Sequence, residues 1–303
     1  MKDVAGTARI TFPLSVAVDA AGFESSPFSD FARNNAARHF FAALCTLVSV
    51  TEKSPAGRAL IRAALIRDVS IGLDPLLEPQ TSFYYPLHKR LDLGYQPEAV
   101  QNSQKGVSQY LSSFTGGLRR AWQQGRALAP DTGLKPEDFL RYCRAFEADV
   151  TAITHMVAWE LRGAGPCFFW RHLLAGPDAD VAAAFSRTAS AHPRHQFDGT
   201  ALRAAFLQWF QVAERVDASD HLALEMMDMA LLAPRLTGAG IGGRPLDHRQ
   251  LCLLGALPQG GNYLTGMRFR GPQMRRGCDP FNRTHLRHIQ RDIEYLSENQ
   301  ESY

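Results

Sequence analysis

Apolar residues recur every three or four positions along most of the chain, which is the spacing of amphipathic helices. Within residues 31–52, for example, Phe40, Leu44, Leu47 and Val48 would share one face of a helix. Proline and glycine interrupt the pattern and separate the helices that it predicts. These helices cover residues 31–52, 56–67, 102–126, 136–162, 170–174, 178–191, 199–212, 220–232 and 284–296.

Three short segments instead have the apolar and aromatic content of β-strands. Residues 69–73 are one candidate strand, and residues 81–85 and 90–93 predict a hairpin that turns through 86–89. Residues 8–23 alternate only weakly, so they would add a further strand or lie over the core. The pattern predicts an α+β fold that is predominantly α-helical, with a small sheet or hairpin.

The composition is that of an ordinary globular protein. Of 303 residues, 45% are hydrophobic and 21% are charged, and the net charge is +3. Basic residues form no long tract, Met274-Arg275-Arg276 being the most basic point, so we expect no nucleic-acid partner. The apolar runs are too short to span a bilayer, and the N-terminus lacks a signal-peptide pattern. We therefore expect a cytoplasmic protein without membrane contact.

The cysteines are five in number and widely scattered, and no C-x-x-C pair occurs. They are Cys45, Cys143, Cys167, Cys252 and Cys278. An odd, scattered set of this kind predicts reduced, mostly buried thiols rather than a disulfide framework or a cysteine zinc site.

The chemistry of the chain centres on the predicted helix over 102–126, which contains the sequence FTGGLRRAWQ at 114–123. The pair Gly116-Gly117 should cost roughly 1 kcal/mol per glycine relative to alanine, so we expect it to kink the helix or delay its start. Positions 116 and 120 lie one turn apart and 117 lies beside them, so the three share a face. In a zinc peptidase such a face carries His, Glu and His.

This segment resembles the HELRHAWQ-type signature of an uncharacterised bacterial family of zinc metallopeptidase-like proteins. Further segments resemble the same family, and their order and spacing carry the match. They are IGLDPLLEPQTSFYYPLHKRLDLG at 71–94, FEADVTAITHMVAWELRGAG at 146–165 with TALRAAFLQWF at 200–210, and LPQGGNYLTGM at 257–267. The resemblance implies a zincin-like helical core with a small sheet beside the motif helix. It places the metallopeptidase-like domain over residues 55–303, packed as one unit with an N-terminal segment and first helix over residues 1–54.

The chain departs from that signature at its three chemical positions, where Gly116, Gly117 and Arg120 replace His, Glu and His. Zinc needs imidazole, thiolate or carboxylate donors. Glycine has no side chain, and arginine has no acceptor and stays charged. The general base that would activate a zinc-bound water is also missing. We therefore expect a degenerate site with no catalytic residue, no metal and no cofactor.

The resemblance also implies that an acidic helix after the motif supplies the third zinc ligand, and this chain keeps Glu147 and Asp149 there. We hypothesise that Arg119 or Arg120 pairs with Glu147, so that a guanidinium takes the place of the metal's charge. The alternative is that Glu147 faces solvent on an ordinary helix.

Two further groups of residues are candidates near this site. His155 shares a helix face with Glu147, but two turns separate them by roughly 11 Å along the axis, which is far for a shared metal ion. Tyr84, Tyr85 and His88 lie on the predicted hairpin, and they would line the residual cleft or pack in the sheet.

Near the C-terminus, Cys278, His285 and His288 could form a zinc site with Asp279 or Asp292. The simpler reading is a basic amphipathic helix exposed to water, which we favour because two histidines alone rarely make a structural metal site.

The remaining features have structural interpretations. The glycine-rich run at 238–243 is not followed by the Lys-Ser/Thr of a phosphate loop, so it predicts a flexible surface loop. The large apolar residues at helical spacing are predicted to form the core. They are Trp122, Phe146, Val157, Trp159, Phe206, Trp209 and Phe210.

The sequence therefore predicts a catalytically inactive metallopeptidase-like protein that binds a peptide, a protein partner or a small molecule in the residual cleft. One alternative is a zinc-dependent hydrolase whose metal site has moved toward Glu147, with ligands from His88, His155 or Asp149. The other is a structural or assembly protein whose cleft has closed around Arg120.

Overall fold

The computed structural model describes residues 11–18, 35–74, 76–78, 81–94, 104–232, 240–267, 269 and 283–300. The strands in these residues are β1 (Thr11–Pro13), β2 (Ser70–Leu73), β3 (Ser82–Tyr85) and β4 (Arg90–Leu93). The helices are α1 (Leu14–Val18), α2 (Asn35–Thr51), α3 (Pro55–Ile66), α4 (Gln104–Gln124), α5 (Pro136–Gly163), α6 (Cys167–Leu174), α7 (Ala179–Ala191), α8 (Thr200–Trp209), α9 (Ala213–Leu232), α10 (His248–Leu254) and α11 (Arg283–Gln300). The predicted α+β class with predominant helix is confirmed.

The chain divides into two compact units, and each contains two stretches of sequence. The first unit comprises residues 1–127 and 153–183, and the second comprises residues 128–152 and 184–303. Helix α5 therefore gives its first part to the second unit and its last part to the first. The boundary after residue 54 that we drew from the sequence stays a prediction.

The first unit contains the sheet, in the order β1-β2-β4-β3. Strands β3 and β4 pair antiparallel and form the predicted hairpin, while β2 pairs parallel with β4 and antiparallel with β1. A 3₁₀ turn at Pro86–His88 connects the hairpin, and Lys89 follows it in the left-handed region at φ 47°. Residues 8–23 thus contribute a strand, β1, and also the short helix α1, which the sequence pattern did not predict.

Local sequence signals explain where α3 begins. The Ser54 side chain accepts a hydrogen bond from the Gly57 N–H at 3.0 Å, and Pro55 occupies the first turn, where its missing N–H is no loss. Glu160, from the part of α5 in this unit, accepts hydrogen bonds from the Ser54 hydroxyl and, at 2.9 Å, from the Ala56 N–H. The helix terminus is thereby capped from two directions.

Helix α4 packs against the sheet hairpin and against α2, α3 and α6. It begins at Gln104, twelve residues before Gly116, so our expectation that the glycine pair delays its start is wrong. Both glycines are buried within the helix. The reason is tertiary packing, which overrides the low helix propensity of glycine.

The second unit is built around the first part of α5. Arg144 makes a bidentate ion pair with Asp220 of α9, with both N–O distances 2.5 Å and both side chains about 1% exposed. Helix α9 begins at Ala213, seven residues earlier than predicted, and Asp220 lies inside it as the partner of Arg144. Helix α11 packs against α9 and runs to Gln300, four residues beyond the predicted end.

The short helix α10 was not predicted from the sequence. Asp247 caps it by accepting a hydrogen bond from the Arg249 N–H at 3.0 Å. The glycine-rich run, described from residue 240 onward, is held by backbone bonds from Gly242 to Thr132 and from Arg244 to Gly133. Gly240 and Gly243 are exposed, so this part of the run lies at the surface, and the predicted flexibility stays a prediction.

The predicted aromatic and apolar core residues are all buried, as are most large apolar side chains of the helices. The cysteines differ from expectation. Cys143 is buried, but Cys45, Cys167 and Cys252 are only half-buried, and Cys278 lies outside the described residues. The four described thiols are free. Among the described helices, none is both long enough and apolar enough to cross a membrane.

Candidate functional site

The motif helix α4 turns position 117 toward the sheet. A Cβ atom added to Gly117 would lie 2.5 Å from Leu91 Cδ1, 2.9 Å from Leu91 Cδ2 and 3.1 Å from Ser82 Oγ. Leu91 is fully buried on β4, and the Ser82 hydroxyl donates a hydrogen bond to the Ser113 carbonyl at 2.9 Å. The space beside position 117, where the resemblance places a glutamate, is therefore filled by a core leucine.

The rest of the motif forms part of the buried core. Gly116 is buried, Arg120 is partly exposed, and Arg119 is fully buried. The Arg119 guanidinium lies over the ring of Trp122 with its central carbon 4.3 Å from the ring centroid, and Arg126 lies 4.8 Å from the same centroid. Such cation–π contacts stabilise a buried arginine that has left water. Arg119 thus has a packing role in this helix.

The hairpin residues that we expected to line a cleft occupy different environments. Tyr84 is buried and lies opposite Leu91, on the sheet face that packs against α4. Its hydroxyl has no hydrogen-bond partner among the described residues. Tyr85 points to the other face, where its ring contacts Phe83 at 4.7 Å and the Arg90 guanidinium at 4.9 Å. His88 is exposed in the connecting turn. The three side chains do not converge on one point.

His155 belongs to the part of α5 in the first unit and is buried, with about 1% of its surface exposed. One turn further along, the Trp159 ring packs edge-on against Trp170 at 5.1 Å. The neighbouring Glu160 caps α3, and burial raises the pKa of its carboxyl, although the hydrogen bonds from Ser54 and Ala56 act in the opposite direction. This part of α5 is a packed core element.

The residues at the motif do not fit a zinc ion. Gly116 and Gly117 provide no donor atom, and the guanidinium of Arg120 has no lone pair to offer a metal. Leu91 also occupies the space beside position 117. Within the described residues, no group of three or more His, Cys, Asp and Glu side chains is arranged to hold a metal ion.

The second unit contains the two carboxylates of the predicted degenerate site. Asp149 is fully buried, and its Oδ1 accepts a hydrogen bond from the Tyr263 hydroxyl at 2.7 Å. Glu147 is half-buried. The arginines Arg119 and Arg120 belong to the first unit, and their proposed pairing with Glu147 stays a prediction.

Tyr263 and Arg203 are two residues that the sequence reasoning did not single out. Arg203 donates to the Tyr263 carbonyl from Nε at 3.0 Å and from Nη2 at 2.8 Å, and Nη2 also donates to the Thr265 carbonyl at 2.9 Å. A Cβ added at Gly199 would meet Tyr263 Cβ at 2.7 Å. The segments at 146–165, 200–210 and 257–267 therefore meet around Tyr263, and their joint presence in the family pattern was the available signal.

The thiol and phenol nearest to Glu147 and Asp149 in the sequence are held in their neutral forms. Burial raises the pKa of Cys143 well above its usual value, and the charges of Glu147 and Asp220 raise it further while Arg144 lowers it. Burial likewise raises the pKa of Tyr142, whose hydroxyl donates to the Leu128 carbonyl at 2.9 Å. Neither group is a ready nucleophile, because the thiolate and the phenolate are both disfavoured.

The C-terminal histidines have separate roles. His285 lies 2.7 Å from Asp228 of α9 through its Nε2, and His288 is exposed. Asp292 is also exposed, whereas Cys278 and Asp279 lie outside the described residues. The arginines Arg283, Arg287 and Arg291 are exposed, as expected of a basic amphipathic helix, and His285 links α11 to α9.

Comparison with known proteins agrees with the resemblance seen in the sequence. A family model described as "Putative metallopeptidase family (DUF6782)" matches residues 25–265. Searches of curated proteins and of solved structures gave no match. The matched region contains the motif helix, the sheet hairpin, the acidic helix and Tyr263. On this match over most of its length, the chain belongs to the DUF6782 family.

Proposed function

We propose that this chain is a catalytically inactive member of its family, a pseudopeptidase with a zincin-like core. In this proposal it acts by binding a peptide, a protein partner or a small molecule beside the motif helix. The observation that carries this proposal is that position 117 is a glycine packed against a core leucine. This position has lost its carboxylate, and the side chain of Leu91 occupies the space that a carboxylate would need.

Two further observations support the proposal. Gly116 and Arg120 cannot replace the missing metal ligands, for the chemical reasons given above. The packing residues of the same signature, by contrast, are intact. Leu118, Arg119 and Trp122 are buried in α4, so the helix keeps its place against the hairpin after the loss of its chemistry.

The first experiment measures zinc bound to the purified chain after incubation with zinc and gel filtration. We expect less than one zinc per chain, and no change in the variant Glu147→Ala. Because the exposed His192 ring lies only 5.3 Å from the half-buried His195 ring, a variant with both changed to alanine identifies zinc that is captured there. One zinc per chain that persists in this variant and is lost in Glu147→Ala would instead favour the zinc-dependent hydrolase with a relocated metal site.

The second experiment tests binding at the motif helix with a displayed library of random peptides. Peptides selected on the wild-type chain should bind the variant Arg120→Glu at least tenfold more weakly, since Arg120 is the partly exposed charge of the motif face. Lys105→Glu provides the control, because Lys105 is an exposed cation at the start of the same helix. A chain that selects no peptide and binds no zinc would favour the structural role.

A further inference from the structure

Helix α9 of the second unit presents an apolar stripe to solvent. Four large side chains at spacings of four, three and three residues have between 45% and 81% of their surface exposed. They are Leu222, Met226, Met229 and Leu232. This spacing places them along one side of the helix. We call them the α9 stripe. Contiguous exposed apolar residues of this kind mark interaction sites more often than isolated ones do.

Most of the other apolar side chains of α9 are buried in the second unit. Val216, Ala223, Leu224, Met227 and Ala230 are buried and hold the helix against the unit. The stripe is therefore a second apolar face, additional to the one that the fold requires. Helices that need only one buried face ordinarily carry polar residues on the other.

The charge beside the stripe is negative. Helix α9 carries five carboxylates and a single arginine, but Asp220 is buried with Arg144 and Asp228 contacts His285, so Glu214, Asp217 and Glu225 carry the negative charge that faces solvent. Glu225 lies three residues after Leu222 and four before Met229, so it borders the stripe directly, and its carboxylate lies 3.2 Å from the exposed His221 ring. It is exposed, and so are Glu214 and Asp217. An anionic border attracts cations and repels carboxylates and anionic lipid.

The chain itself shows which kind of element suits this border. Helix α11 packs against α9, and its His285 meets Asp228 at 2.7 Å. The exposed positions of α11 include Arg283, Arg287 and Arg291, while Leu286 and Ile289 are buried. Helix α11 is thus a basic amphipathic helix, and it already lies against the acidic helix α9.

We propose that the α9 stripe docks a basic amphipathic helix of a partner protein. The apolar face of the partner would cover Leu222, Met226 and Met229, and its cations would meet Glu225 and the neighbouring carboxylates. Methionine side chains suit such a role because they are flexible and polarisable and adapt to different apolar surfaces. This surface is independent of the motif helix and of the proposed function.

The test uses a fluorescein-labelled, 18-residue peptide of leucine and lysine at helical spacing, and a matched peptide in which glutamate replaces lysine. Fluorescence anisotropy measures the binding of both to the full chain. We expect binding of the lysine peptide alone, weakening by about tenfold or more in the double variant Met226→Gln, Met229→Gln. Glu225→Gln should weaken binding several-fold and reduce its salt dependence.

The control is Leu253→Gln, which changes an exposed leucine of α10 outside the stripe. It should leave the affinity unchanged, and circular dichroism should show all variants folded. The proposal is overturned if neither peptide binds, if both bind equally, or if Leu253→Gln weakens binding as much as the double variant. The zinc measurement is unaffected by any of these outcomes, and library peptides that bind the Met226→Gln, Met229→Gln variant more weakly are assigned to the α9 stripe rather than to the motif helix.

Discussion

Changing Gly117 to alanine tests whether the space at the motif helix is truly filled. Replacing a glycine inside a helix by alanine should by itself stabilise the fold by about 1 kcal/mol. At Gly117 the new Cβ would meet Leu91 at 2.5 Å, well inside contact distance, and Leu91 is fully buried and has little freedom to move. Overpacking of this kind costs about 1–3 kcal/mol, so after the gain from helix propensity we expect a net destabilisation of up to about 2 kcal/mol.

Urea unfolding followed by tryptophan fluorescence is the appropriate assay. Of the four tryptophans, Trp122, Trp159 and Trp170 lie in the first unit with Gly117, so the signal reports mainly on that unit. The control is Gly163→Ala. Gly163 is the last residue of α5, and a Cβ added there meets nothing within 4 Å. This variant should be as stable as the wild type or up to about 1 kcal/mol more stable.

A second change makes the test specific to the Gly117–Leu91 contact. Leu91→Ala alone should cost about 2–5 kcal/mol through loss of buried surface and a residual cavity. In the double variant the alanine at 117 has room, so its own cost should largely disappear. The loss of stability in the double variant should therefore be smaller than the sum of the two single losses by about 1 kcal/mol or more. Our reading of this position would be refuted if Gly117→Ala proved more stable than the wild type, or if the two changes were simply additive.

Three further predictions concern buried polar groups. Arg144→Ala should destabilise the second unit by about 3–5 kcal/mol, because it leaves the buried Asp220 carboxylate without its bidentate partner. The double variant Arg144→Met, Asp220→Leu should recover most of this loss, as measured by urea unfolding. The folded-state pKa of Glu160 is raised by burial, so the folded chain holds this proton more tightly, and stability should fall as pH rises from about 4 through that pKa. Glu160→Gln should remove this component of the pH profile measured by thermal unfolding. Tyr263→Phe should cost about 1–3 kcal/mol in the same assay, because Asp149 loses a buried donor at 2.7 Å.

Elements with local signals could be predicted from the sequence. The Ser54-Pro55 pair determines the start of α3, and the alternation around Pro86 predicts the hairpin of β3 and β4. The start of α9 could not be predicted in this way. Asp220 resembles a helix cap, but its partner Arg144 is 76 residues away in sequence. Helix α10 is only seven residues long, which is too short for a periodic pattern.

The candidate site was predictable in its chemistry but not in its surroundings. That Gly116, Gly117 and Arg120 lack metal donors follows from residue types alone. Leu91 fills the space beside Gly117, but it lies on a strand 26 residues earlier in the chain. No local sequence signal predicts how that strand is placed against α4. The Tyr263–Asp149 hydrogen bond joins residues 114 apart, and no local pattern indicates it.

The motif helix separates the residues that support folding from those that would support catalysis. Leu118, Arg119 and Trp122 are buried, and Arg119 lies over the Trp122 ring, so this packing uses none of the three positions at which the resemblance places metal ligands and a base. A glutamate at position 117 would have to displace Leu91 and would bring a carboxylate into an apolar site, and both effects oppose folding. In this chain the core packing itself therefore disfavours a glutamate at position 117.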